Sequence, residues 1–251
     1  MPELTRLRRL NLAAGSVHAV SAILVLVLAN NFAVPVTAHY MTGPPGTTAR
    51  QYVQLTSFHM AWLIAAFFAL SAIAHFLVSG PLRAQYESHL SQQRNPYRWL
   101  EYSVSSSLMI VAIAELTGIA DVAALLALIG VNASMIGFGW MQERYETPGG
   151  GLGPFWLGCG AGVVPWLAIG VYLIGPGAHV HAPGFVYGIY VSLFVAFNCF
   201  ALVQYLQYKK IGRFADYLVG EKTYIVLSFV AKSLLAWQIF ASTLTATAVG
   251  H

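Results

Sequence analysis

Two things are scarce in this chain, charge and cysteine, and each scarcity excludes a class of protein. Only 9% of the 251 residues are charged while 57% are hydrophobic, and the mean hydropathy is +0.65. A soluble domain carries about 25% charged residues, so the composition reads as an integral, multi-pass membrane protein. The two cysteines, Cys159 and Cys199, both fall inside apolar stretches, where a small polarizable side chain serves packing. A disulfide framework and a zinc knuckle are thereby excluded. No A-x-A-type cleavage site follows the first apolar run, so that run reads as a retained span and the mature protein as the whole chain. An internal repeat is also lacking.

Apolar runs of about twenty residues number seven, at 8–29, 52–78, 97–118, 122–142, 152–174, 184–208 and 218–247. The expected fold is an all-α membrane protein, a seven-transmembrane-helix bundle forming one domain over residues 1–251. Two connections are long. Residues 30–51 hold two short β-prone runs about a Gly-Pro-Pro-Gly turn, which reads as a hairpin-like first outer loop. Residues 79–96 are polar and close at Asn95-Pro96; an N-cap followed by proline at the first helical position predicts that the third span starts there. Gly158, Gly160, Gly162 and Pro165 inside the fifth span read as close packing or a kink.

Basic residues orient the spans. With loops assigned alternately to the two sides, Arg6, Arg8, Arg9, Arg83, Arg94, Arg98, Arg144, Lys209, Lys210, Arg213 and Lys222 collect on one side and Arg50 alone on the other. Eleven against one places the N-terminus in the cytoplasm by the positive-inside rule. Seven spans then put the C-terminus outside, and the expected location is the cell membrane.

Three formal charges lie well within the spans: Glu101, Glu115 and Lys232. Lys232 is the sole charge from residue 223 to the end, and a lysine at that depth marks a counter-ion site, a relay or a covalent attachment. By helical rise, Glu101 lies about 8 Å and Lys232 about 15 Å from the cytoplasmic end. That difference of about 7 Å is within reach of a lysine side chain, and an opposite-sign pair is the expected solution for two such groups. A desolvated lysine amine is free to attack a carbonyl and form a Schiff base, and a protonated imine needs a carboxylate such as Glu101 beside it. Ser228 precedes Lys232 by one helical turn and Ser105 follows Glu101 by one, so both share the relevant faces. Glu115, close to Asp121, reads either as reaching the outer interface or as extending a polar path outward.

Two sequence segments carry a family resemblance. Arg98-Trp99-Leu100-Glu101-Tyr102-Ser103-Val104-Ser105-Ser106-Ser107 in the third span and Ser228-Phe229-Val230-Ala231-Lys232-Ser233-Leu234 in the seventh resemble the heliorhodopsins, retinal proteins of inverted membrane orientation, and the resemblance extends over essentially the whole chain. It implies that Lys232 carries all-trans retinal as a protonated Schiff base with Glu101 as counter-ion. Ion-pumping microbial rhodopsins typically hold an aspartate where Ser228 stands, so Glu101 is expected to act alone. The resemblance further implies that His18 and His75 border a cavity that receives the Schiff-base proton, and that the protein forms a homodimer.

A polyene needs a long apolar slot with flat walls; Tyr102, Met109, Asn132, Met135, Trp166, Phe197 and Phe200 are the candidates at mid-span depth. His59 reads as structural. His179-Val180-His181 lacks a third ligand, and no metal is expected. The leading functional reading is a light-sensing photoreceptor, not an enzyme, with membrane lipid around it, an unidentified signalling partner and no nucleic acid. A light-driven pump or channel, or a chromophore-free solute transporter using the Lys232–Glu101 pair, stay open from the residues. Against the first stands the shortage of intramembrane carboxylates, and against the second the absence of repeats and broken helices. In the outer loop, Val34, Val36, Tyr40 and Met41 supply apolar surface either for dimerisation or for folding onto the bundle.

Overall fold

The computed structural model describes residues 2–48, 50–177, 179 and 181–246. In chain order the elements are α1 (Pro2–Leu28), β1 (Ala33–Met41), β2 (Arg50–His59), α2 (Met60–Ser79), α3 (Arg83–Ser91), α4 (Pro96–Leu116), α5 (Val122–Tyr145), α6 (Gly153–Ile174), α7 (Gly184–Tyr208), a short 3-10 turn (Gly212–Ala215) and α8 (Tyr217–Ala246). All the α-helices except α3 are long and apolar enough to cross a membrane, seven among the described residues. Their outward faces carry side chains such as Val27, Trp62 and Ile174 that no other part of the protein covers, the surface that lipid requires. Successive spans are joined by short links, so one end of the bundle holds the N-terminus with α3, and the other holds the β1–β2 hairpin. The expected end of the last span at residue 247 and the centre of His179-Val180-His181 lie outside the described residues.

Three differences from the sequence reading have physical causes. The second span begins at Met60 and not at 52, because Tyr52 to His59 continue as β2. The run there is rich in β-formers, Tyr52, Val53, Thr56 and Phe58, and it pairs antiparallel with β1 from Ala33↔His59 to Met41↔Arg50, with one register shift at Val36/Thr37. His59 is therefore the residue preceding a helix, not an intramembrane one. Residues 83–91 form α3, whose Tyr86 and Leu90 pack against Leu7, Val78 and Ile225. Asn95 caps α4 as its sequence predicts, its side-chain oxygen accepting the Arg98 amide at 3.1 Å, with Pro96 in the first turn.

The hairpin is tied to the bundle. Val34 and Val36 are buried in the main core, while Tyr40 and Met41 are exposed. Thr37 N donates to Ala120 O at 2.8 Å, so the free edge of β1 is occupied by the α4–α5 turn. Asp121 caps α5 by accepting the Ala123 amide at 3.0 Å, and its other oxygen meets His39 Nδ1 at 3.3 Å.

At the N-terminal end, a buried cluster joins three spans. Arg98 of α4 pairs with Glu143 of α5, at 2.6 Å, and with Glu221 of α8. Its guanidinium lies over the rings of Trp99 and Tyr224, 4.6 and 4.2 Å from their centroids. Glu143 also accepts from Asn95 N, Trp99 Nε1 and Tyr217 OH. Charges at span ends ordinarily reach water, and these three turn inward instead, which enlarges the expected set of buried charges. Beside Glu221, Gly220 lets α8 approach α7, since a Cβ there would collide with the Gln207 amide.

Two outcomes are expected. Arg98→Ala leaves two buried carboxylates without their cation and destabilises the bundle by about 3–5 kcal/mol, measurable by denaturant unfolding in micelles. The His39 hydrogen bond, helped by the Ala123 and Ala124 amides, holds the Asp121 carboxyl below the usual carboxylate range. A folded value below the unfolded one, about 3.9, gives stabilisation that is present above the unfolded value and lost as pH falls through the folded one. The drop in thermal midpoint between about pH 5 and pH 2 is therefore smaller in Asp121→Asn than in the native chain.

Candidate functional site at Lys232

Lys232 sits on α8 among Ala231, Leu235 and Ala236, all buried, and is itself only 3% exposed. Its Nζ donates to Ser228 Oγ at 2.8 Å, one turn earlier, and lies 3.3 Å from Glu101 Oε1 of α4. The ring of Tyr102 stands 5.4 Å from the ammonium, a cation–π distance, while its hydroxyl is bound to Tyr224 O at 3.0 Å. Glu101 Oε1 also accepts from Ser71 Oγ of α2 at 2.5 Å. Sequence reasoning missed Ser71, yet a signal existed: it precedes His75 by four residues and so shares its helix face. Ser105, a candidate partner for the carboxylate or the imine, is fully buried with its hydroxyl unpaired; it does not bond to Glu101 and faces the apolar cavity that Lys232 also lines.

That cavity, of about 240 Å³, is bounded by Lys232, Ser228, Tyr102, Ser105 and Met109 at one part and by Met135, Trp166, Phe197 and Phe200 at others. Trp166 meets Phe197 edge-on at 5.5 Å, and Tyr102 meets Phe200 at 5.4 Å. Asn132 is not in the wall. It stands behind it, donating to Ser106 Oγ at 2.7 Å and Ser107 Oγ at 3.1 Å, because a buried amide among apolar residues bonds to the nearest hydroxyls. The glycines shape the wall: a Cβ on Gly139 would lie 2.7 Å from the Trp99 ring, and one on Gly162 2.6 Å from Met135 Sδ. Both glycines let a large side chain lie flat against a neighbouring helix, a role that only the assembled bundle reveals.

A second, polar cavity of about 40 Å³ lies toward the N-terminal end, with Asn11, His75, Tyr86, Asn95, Tyr97, Arg98, Glu101, Tyr102, Glu221 and Tyr224 in its lining. This is space for about three waters. His75 Nδ1 meets Asn11 Oδ1 at 2.8 Å, while Asn11 Nδ2 is engaged with Leu7 O. The amide oxygen can only accept, so His75 Nδ1 is the donor in this contact. His18 departs from expectation. Its ring stacks on His75 at 5.6 Å and touches Phe68 and Phe229, but it does not line the polar cavity and both its nitrogens lack a hydrogen-bond partner; the aromatic neighbours separate it from the polar groups. Glu115, near the hairpin end, is buried and does not reach the interface. Among the described residues no group of three His, Cys, Asp or Glu side chains could hold a metal ion.

Comparison with known proteins follows the same lines. No curated protein matches the chain by sequence. In fold it is similar to Exiguobacterium sibiricum rhodopsin, with a TM-score of 0.68 at 14% identity over 98% of this chain and 99% of that one. It is also similar to the transmembrane domain of Salpingoeca rosetta rhodopsin phosphodiesterase (0.67, 14%, 98% and 86%) and to the light-driven proton pump Coccomyxa subellipsoidea rhodopsin (0.64, 17%, 94% and 96%). At such identities the likeness concerns the rhodopsin-like seven-helix fold. The sequence model of the family described as Heliorhodopsin matches residues 7–244, nearly the full chain, and the protein is a member of the heliorhodopsin family, membrane proteins of the retinal-photoreceptor type.

Proposed function

We propose that this protein is a light sensor in which Lys232 carries all-trans retinal as a protonated Schiff base, Glu101 is the sole counter-ion, and no ion is pumped. The observation that carries this reading is the placement of one buried amine, 3.3 Å from one carboxylate, in the wall of an apolar, aromatic cavity. The residues fit the chromophore: the amine opens onto the cavity, the aromatic rings supply flat walls, and the unpaired Ser105 hydroxyl faces the same space. Bound there, retinal supplies absorption of visible light and isomerisation. The chain's own groups do the rest. Ser228 and Glu101 fix the position of the Lys232 nitrogen, Ser71 fixes the Glu101 carboxylate, and Tyr102 presents its ring to the charge.

The distribution of polar groups supports sensing over pumping. Toward the hairpin end, fully buried Ile64, Phe67, Ile110, Ile113, Leu235 and Ile239 place an apolar layer between Lys232 and Glu115, and the polar side chains Ser192 and Gln238 there are hydrogen-bonded to each other. The polar cavity lies on the N-terminal side, bordered by His75 with His18 stacked behind it. A proton leaving the Lys232 nitrogen thus meets a polar cavity on one side of the bundle and an apolar layer on the other.

The eleven-to-one charge asymmetry supports an N-terminus in the cytoplasm, a C-terminus outside and residence in the cell membrane, which makes the polar side cytoplasmic. Residues 1–251 then act as one rhodopsin-like domain. The exposed apolar residues of the hairpin, Tyr40 and Met41, support a homodimer contact, and the cytoplasmic end is where a signalling partner reads the light state.

Three outcomes test this reading. The protein purified with all-trans retinal shows a visible absorption band that hydroxylamine bleaches; no band would reject the retinal assignment. Glu101→Gln moves the band to longer wavelength, because losing the counter-charge destabilises the ground state of the cation more than its excited state; an unchanged spectrum places the counter-ion elsewhere. Illuminated cells expressing the protein show no uncoupler-sensitive pH change, whereas a clear one would establish a pump.

A further inference from the structure

The buried cluster at the N-terminal end does not balance in charge. Arg98 supplies one cation, and Glu143 and Glu221 supply two carboxyls, all three nearly inaccessible. The two carboxyls are not equivalent. Glu143 accepts four hydrogen bonds, from Asn95 N, Arg98, Trp99 Nε1 and Tyr217 OH, which fills the lone pairs of a carboxylate. Glu221 accepts from Asn95 Nδ2 at 2.8 Å and pairs with Arg98, so it keeps lone pairs free. Of the two, only Glu221 lines the polar cavity that also contains Glu101 and His75.

We propose that Glu221 is the proton-receiving group of this site: it is ionised in the dark and takes up the proton that leaves the Lys232 nitrogen on illumination. The inference rests on the Schiff-base reading above. The proton passes from the Lys232 nitrogen to Glu101, 3.3 Å away, and Glu101 returns to its anionic form as an equivalent proton crosses the cavity, which has room for about three waters, to a Glu221 oxygen. Charge is conserved. The Lys232 site loses one positive charge, and Glu221 loses one negative charge.

Energetics favour this terminus over the other titratable groups facing the cavity, His75 of α2, Tyr86 of α3, Tyr97, Arg98, Glu101 and Tyr102 of α4, and Tyr224 of α8. A proton on His75 would create a new buried cation, whereas a proton on Glu221 removes a surplus buried anion and leaves Arg98 and Glu143 as a matched pair. Tyrosine hydroxyls and arginine are already protonated. Acceptance also changes what Arg98 is held by. Its bond to Glu221 weakens while that to Glu143 stays, and because Arg98, Glu143 and Glu221 sit on three different spans, the event at Lys232 reaches the packing of α4, α5 and α8.

Light-minus-dark infrared difference spectroscopy on the retinal-loaded protein tests this. When the Lys232 nitrogen is deprotonated, a positive band of a protonated carboxyl C=O stretch, shifted in heavy water, is expected. It is lost in Glu221→Gln, moved in frequency in Glu221→Asp, and retained in Glu115→Gln. Loss of the visible band in the native protein would reject the Schiff-base reading itself. A normal visible band and a deprotonated intermediate with no carboxyl band, or with one that survives Glu221→Gln unchanged, overturns the proposal. If Glu221→Gln does not fold, the native protein and Glu221→Asp decide it: absence of the band in the first, or an unmoved band in the second, counts against Glu221.

Discussion

A lysine ammonium removed from water has to find its charge partner inside the bundle, and most of this structure is arranged around that requirement. Lys232 lies at the middle of an apolar helix, where an unpaired cation is costly. Its partner, Glu101, comes from a different helix and would itself be an unpaired buried anion if the two were apart. The 3.3 Å contact therefore fixes the register of α8 against α4. Ser228 and Ser71 complete the hydrogen bonding of the two charges from α8 and α2. Three helices are locked by four side chains, and the pair is the more secure for having its remaining polar valence satisfied.

What surrounds the pair differs by direction. On one side is an apolar, ring-lined cavity, bounded where Gly139 and Gly162 let Trp99 and Met135 lie close against the opposing helices. Toward the hairpin end is close-packed aliphatic and aromatic core. Toward the N-terminal end are a small polar cavity and a second buried charge cluster about Arg98. A charge displaced at Lys232 thus meets the polar cavity and the Arg98 cluster in one direction and an apolar layer in the other. This asymmetry is a property of the packing of whole helices.

The membrane class, the seven spans and the Lys232–Glu101 pair were legible in the sequence because each rests on one-dimensional facts: run length, the rarity of charge, and helical rise. The cap at Asn95-Pro96 was legible for the same reason, since capping is local. The second span was placed eight residues early because hydropathy does not separate a strand such as β2 from the helix it runs into; the cluster of β-formers Tyr52, Val53, Thr56 and Phe58 was the available signal. Arg98, Glu143 and Glu221 escaped because charge at a span end is ordinarily solvated, and whether a side chain turns inward depends on which helix faces it. Ser105 faces the cavity without bonding to Glu101, and Asn132 makes its interior contacts with Ser106 and Ser107 behind the cavity wall: helical periodicity gives a face, whereas the hydrogen-bond partner depends on depth and on the neighbouring helix. His18 and His75 lie together as a stacked pair, but only His75 lines the polar space.

The central claim is that Lys232 is the residue to which retinal is bonded, and the most direct measurement reduces that bond irreversibly and locates it. Protein reconstituted with all-trans retinal, treated with borohydride under illumination, digested and analysed by mass spectrometry is expected to carry a retinyl adduct on Lys232. An adduct on another lysine, or none in a protein that shows a visible band, would contradict the account.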